Sequence, residues 1–179
     1  MKAGDTVLIQ AGASGLGMAA IQLVKALGGL VMTTVSTEKK AGFVRELGAD
    51  YVINRSTEDL GAAMEEHPVD IAMDCVGGPE LGRCLEQMAV GGRWIVIATL
   101  GGARTEVDAN LLFRRGVRLI GSTLRSRTPQ MKAEILGGLE RLLWDAFSSA
   151  CAMGKTAWIT GLMLPEENAS HSRRSSPPS

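Results

Sequence analysis

The chain has 179 residues, with 19 Lys plus Arg balanced by 19 Asp plus Glu, and 45% of its residues are hydrophobic. That is the length of one domain able to bury a sizeable core. The zero balance excludes the basic face that nucleic acid needs and gives no general attraction to an anionic membrane surface. Thr6-Val7-Leu8-Ile9 is a compact apolar run suited to a buried strand, and a glycine-rich turn follows from Gly12 to Gly17. Leu16, Ala20, Leu23, Val24 and Leu27 recur at helical spacing until Gly28-Gly29 stops the helix. Leu30 to Val35, rich in Val and Thr, reads as a second strand, and Glu38 to Leu47 as a second helix. Further strands are predicted at Tyr51–Ile53, Val69–Cys75, Arg93–Ala98 and Val117–Gly121. Further helices are predicted at Glu80–Ala89 and Gln130–Phe147.

Alternating strands and helices imply parallel strands joined by right-handed helical crossovers. The fold class is therefore α/β, a doubly wound parallel sheet of the Rossmann type in a three-layer sandwich. Residues 1–147 read as this domain. Residues 148–164 are apolar without a clear period, and 165–179, with five Ser and three Pro, read as a disordered tail. Cys75, Cys84 and Cys151 form no CxxC pair, so no metal site is expected. An odd cysteine count behind an N-terminus without an apolar leader fits the cytoplasm. No apolar run reaches the roughly 18 residues of a membrane span.

The turn Ala11-Gly12-Ala13-Ser14-Gly15-Leu16-Gly17 sits between the first strand and the first helix. A dinucleotide turn wants G-x-G-x-x-G. Gly12 and Gly17 supply the first and third glycines, Ser14 stands at the second, and Gly15 lies beside it. The helix N-terminus offers unpaired N–H groups to a pyrophosphate. The plain alternative is a tight turn with no ligand. The end of the second strand selects the cofactor. Ser36 can donate to a 2′-phosphate and Lys40 can neutralise it, which reads as NADPH. Glu38 is the competing residue, an acceptor for the free 2′-OH of NAD. A third reading leaves Glu38, Lys39 and Lys40 as a solvated first helical turn. Tyr51 is followed four residues later by Arg55, not the Lys that a short-chain dehydrogenase needs. Gly12-Ala13-Ser14-Gly15-Leu16 lacks the last glycine of a hydrolase nucleophile elbow.

Residues Gly12 to Leu23 resemble the cofactor turn of NADPH-dependent quinone oxidoreductases, the zinc-free branch of the medium-chain dehydrogenase/reductase superfamily. Leu47-Gly48-Ala49-Asp50, Asp74-Cys75-Val76-Gly77-Gly78, Gly91-Gly92-Arg93-Trp94 and Ser122-Thr123-Leu124-Arg125-Ser126-Arg127 extend the resemblance from Lys2 to about Trp144. It implies hydride transfer from NADPH to a quinone or a conjugated carbonyl. Ser14, Gly15 and Leu16 would lie along the pyrophosphate, and Ser36 and Lys40 would face the 2′-phosphate. Val76 and Gly77 would meet the adenosine side. Leu100, Gly101 and Gly102 would flank the nicotinamide, with Ser122, Leu124 and Arg125 beside them.

Arg55 stands where the family carries a tyrosine, and its guanidinium can stack and add a phosphate contact. The resemblance assigns no catalytic residue and no metal ligand, because the cofactor carries the chemistry and solvent can supply the proton. Family members dimerise through edge strands, which points to a homodimer at Val117–Gly121. The family's amino-terminal barrel domain has no counterpart here. Beyond Trp144 the chain departs from the family as a changed reading frame would. A truncated nucleotide-binding remnant without turnover is the alternative reading.

Overall fold

The computed structural model describes residues 1–152, with side chains through Arg141. By its internal contacts the chain forms two units, Met1–Ala133 and Glu134–Ser179. The first contains β1 (Thr6–Ile9), α1 (Gly15–Ala26), β2 (Leu30–Val35), α2 (Glu38–Glu46), β3 (Tyr51–Asn54) and α3 (Leu60–Glu66). It continues with β4 (Val69–Asp74), α4 (Gly78–Leu85), β5 (Met88–Val96), α5 (Ala109–Arg115) and β6 (Arg118–Gly121). The six strands form one sheet in the order β3-β2-β1-β4-β5-β6, and every pair is parallel. The order reverses between β1 and β4, and the crevice there is where open α/β sheets bind ligands. α6 (Pro129–Ala152) follows. It contains residues 148–152 of the segment left unassigned from sequence; the expected tail lies outside the described residues.

Alternation along β1 divides the core. Leu8 packs with Met32, Leu60, Met64, Leu81, Leu85 and Trp94 on the α3 and α4 side. Val7 and Ile9 pack with Ile21, Val24, Val31, Ala41 and Val44 on the α1 and α2 side. Successive residues of a strand point to opposite faces, so a strand buried on both sides must be apolar throughout. Each fully buried Leu, Ile or Met contributes about 1.5–3 kcal/mol.

The structure corrects several elements read from sequence. α3 and α5 were not anticipated. α3 buries only the single i,i+4 pair Leu60 and Met64 and α5 buries no residue, so neither carries a stripe long enough to mark a helix. Both are set by local caps: Asp59 accepts from Ala62 N at 2.9 Å, and Asp108 accepts from Asn110 N at 2.8 Å. α4 ends at Leu85, short of the predicted Ala89, because β5 already begins at Met88. β5 pairs Met88 with Val69 and resumes at Arg93 opposite Ile71, with an irregularity between them. Gly91, at φ 76°, supplies the bend that hid the early part of the strand.

Candidate functional site

The glycine turn is built by three different demands. Its left-handed residue is Ala11, at φ 56°, and Gly12 is absent from the positive-φ positions. Gly12 is small for another reason: a Cβ there would stand 2.0 Å from Thr33 Oγ1. A Cβ on Gly17 would stand 2.5 Å from Ala11 O and 2.7 Å from Gly12 Cα, so helix and strand meet only through glycine. Gly15 meets nothing within 4 Å, which leaves open space in front of it. Ser14 is the N-cap of α1, its Oγ accepting from Gly17 N at 3.1 Å. The hydroxyl proton remains free to donate outward. The N–H groups of Gly15 and Leu16, in the first turn, have no intrahelical partner and form an anion-binding end.

Beside this turn lies a pocket of about 170 Å³ lined by Ala11, Ala13, Ser14, Thr34, Val35, Ser36, Lys40 and Arg55. It gathers four residues singled out from sequence: Ser14, Ser36, Lys40 and Arg55. Lys40 Nζ donates to Ser36 Oγ at 3.2 Å, and Arg55 N donates to Val35 O at 3.0 Å. No carboxylate lines the pocket. Glu38, the competing acceptor, instead pairs with Arg45 at 3.0 Å. Thr34, not flagged in the sequence, holds the wall through Oγ1, which accepts from Ala11 N at 3.0 Å.

The second half of the edge is a double loop. Leu100 N donates to Cys75 O at 3.1 Å and Gly101 N to Val76 O at 2.7 Å, and Gly77 bridges Gly102 in parallel. The structure thus joins Val76 and Gly77, expected from the resemblance on the adenosine side, to Leu100, Gly101 and Gly102, and neither Val76 nor Gly77 lines the Ser36–Lys40–Arg55 pocket. Ser122 N donates to Val96 O at 2.9 Å and sits at the end of β6. Leu124 and Arg125 are exposed in the turn beyond it. No hydrogen bond among the described residues joins them to residues 100–102.

Sequence reasoning missed Asp74 as a functional group. It is fully buried and accepts from Val76 N at 2.7 Å, Gly77 N at 2.9 Å and Trp94 Nε1 at 2.9 Å. The available signal was an aspartate ending an apolar strand directly before a glycine turn. Cys75 Sγ donates to Gln10 O at 3.7 Å. Burial, and secondly the Asp74 charge, push this thiol up. The Cys84 thiol is pushed up to about 12, mainly by burial. Neither is a ready nucleophile, since the thiolate is the reactive form.

Comparison with known proteins places the chain. Residues 15–139 match the family described as zinc-binding dehydrogenase. The chain is 36% identical over 109 residues to the "Probable quinone oxidoreductase" of Leishmania amazonensis, covering 59% of this chain and 32% of that protein. It is 28% identical over 148 residues to the quinone oxidoreductase of Homo sapiens, covering 78% and 44%. A solved crotonyl-CoA carboxylase/reductase in complex with NADP superposes with a TM-score of 0.63 at 26% identity, covering 69% of this chain and 37% of that one. The chain therefore spans less than half the length of these relatives. The family description implies zinc, but no three His, Cys, Asp or Glu side chains converge among the described residues. The described residues therefore offer no set of ligands that suits a metal. The parallel sheet, the capped glycine turn and the family match agree: the chain belongs to the zinc-binding dehydrogenase family of medium-chain dehydrogenase/reductases and resembles its quinone oxidoreductases.

Proposed function

We propose that the chain binds NADPH across the carboxyl edge of its sheet and presents it to a quinone or another small conjugated carbonyl. The observation that carries this reading is the pocket in which Ser36, Lys40 and Arg55 meet with no lining carboxylate. A 2′-phosphate matches two cations and a hydroxyl, whereas a free 2′-OH calls for an acidic acceptor. The NADP held by the similar carboxylase/reductase supports the same cofactor. When bound, the nicotinamide supplies the hydride.

The chain's own residues bind and orient. Gly15 and Leu16 offer N–H groups to the pyrophosphate, Ser14 adds its hydroxyl, and Lys40 and Arg55 clamp the phosphate at the far end. Val76 and Gly77, which the resemblance set on the adenosine side, are read here with the loop they bond to, so that they and Leu100, Gly101 and Gly102 line the opposite half, with Ser122, Leu124 and Arg125 beyond. No catalytic residue is assigned, and solvent supplies the proton.

Residues 1–147 act as the nucleotide-binding domain in this reading, and a homodimer forms through β6. All four β6 residues are exposed and the strand ends the sheet, which supports that edge as an interface. Free thiols at Cys75 and Cys84 suit the cytoplasm. No described helix is long and apolar enough to cross a membrane.

Fluorescence titration tests the cofactor: NADPH is expected to bind more tightly than NADH, and equal or tighter NADH binding contradicts the reading. NADPH oxidation with a simple quinone tests turnover. Tight binding with a rate equal to the protein-free blank favours the second reading, a nucleotide-binding chain without turnover.

A further inference from the structure

We propose that Asp74 is a positioning residue for the nicotinamide half of the nucleotide: its buried carboxylate sets the turn at residues 76–78, and that turn holds the loop at residues 99–102. The inference rests on the nucleotide-binding reading above.

The chain of contacts is continuous. Asp74 Oδ2 accepts from Trp94 Nε1, and Trp94, a residue of β5, is fully buried in the core. Asp74 Oδ1 takes both Val76 N and Gly77 N. One carboxylate thus holds two successive backbone N–H groups against a fully buried indole. Charge-assisted bonds of this kind are about twice as strong as neutral ones. With those N–H groups held, Gly77 adopts φ 64° and ψ −144° and Gly78 adopts φ 70°, conformations open to glycine.

The two loops then close on each other without room for a side chain. A Cβ on Gly77 would stand 3.0 Å from Gly102 O, and one on Gly78 would stand 2.8 Å from Gly101 O. The backbone bonds from Leu100 and Gly101 to Cys75 and Val76 complete the link. None of Asp74, residues 76–78 or residues 99–102 lines the Ser36–Lys40–Arg55 pocket. Disturbing Asp74 should therefore act on one half of the edge only. An asparagine there must set its NH₂ against either the Trp94 N–H or the two backbone N–H groups, donor against donor.

The test compares a long and a short ligand on the full 179-residue chain. NADPH spans the edge; adenosine 2′-monophosphate occupies the phosphate pocket. Asp74→Asn is expected to weaken NADPH by about tenfold and adenosine 2′-monophosphate by less than about threefold. Gly77→Ala leaves the buried carboxylate intact but places a Cβ between the loops. It should give the same split, and it decides the matter if Asp74→Asn fails to fold. Parallel losses for both ligands, or no loss for either, overturn the proposal. A wild-type chain that binds neither ligand overturns the nucleotide reading and this inference together. A wild-type chain that binds both, with variants that show no split, overturns this inference alone.

Discussion

The two halves of the carboxyl edge solve the same problem by different means. At the ends of β1, β2 and β3 the pocket is made of side chains: Ser14, Ser36, Lys40 and Arg55 around about 170 Å³. At the ends of β4 and β5 the surface is made of main chain, two glycine loops stitched together over the buried Asp74. The first half can change its ligand by exchanging a side chain. The second can change only by moving its backbone, so it tolerates little. On the proposed reading, charge selects on one side, and shape on the other.

The sharpest way to break this division is to put a side chain where neither half allows one. Gly17→Val drives its Cβ into Ala11 O and Gly12 Cα, backbone atoms that cannot swing aside. It is expected to abolish NADPH binding and to destabilise the fold by at least about 1–3 kcal/mol, read in a thermal melt. Next comes the charged half. Removing both cations, with Lys40→Ala and Arg55→Ala, should weaken NADPH by about a hundredfold or more, each charge-assisted contact contributing about 1.5–3 kcal/mol. NADH binding should stay within about twofold because it carries no 2′-phosphate. A comparable loss for both nucleotides would show that the pocket does not read that phosphate.

Smaller effects sharpen the comparison where the halves meet. Ser14→Ala removes the cap that holds Gly17 N and should cost about 1 kcal/mol of stability, with a modest loss of NADPH affinity. Gly15→Ala separates stability from binding. Its Cβ meets no protein atom, so the melt should rise by the equivalent of about 0.4–1 kcal/mol. The same methyl enters the space in front of the N–H groups, so NADPH affinity should fall. A melt and an affinity that rise together would mean that no ligand approaches Gly15.

How much of this was legible in the sequence follows the same division. β1, α1, β2 and α2 could be read to within a residue because long apolar runs and a glycine stop mark them. The grouping of the charged half was partly legible because its chemistry belongs to side chains: Ser36 and Lys40 were singled out from their own chemistry and Arg55 from the family position it occupies, and the three line one pocket. The backbone half was not. Val76, Gly77 and the residues 100–102 came from family resemblance, and Asp74 appeared there only as part of a motif. Nothing in one sequence says that its carboxylate turns back to its own strand end and to Trp94. Gly12 shows the limit within a recognised motif. Its smallness answers Thr33 on the neighbouring strand, while the left-handed turn falls to Ala11. Such demands come from residues distant in sequence.

Cys75 carries a consequence for the chemistry proposed at this edge. Quinones are Michael acceptors, and thiolates add to them irreversibly. A reductase that passes such electrophiles beside a cysteine risks poisoning itself one turnover at a time. Here burial, and secondly the Asp74 charge, push the Cys75 thiol up, which favours the protonated form, a poor nucleophile. On the proposed chemistry, the carboxylate that shapes the loop would also help burial to lower the thiolate fraction of a nearby sulfur.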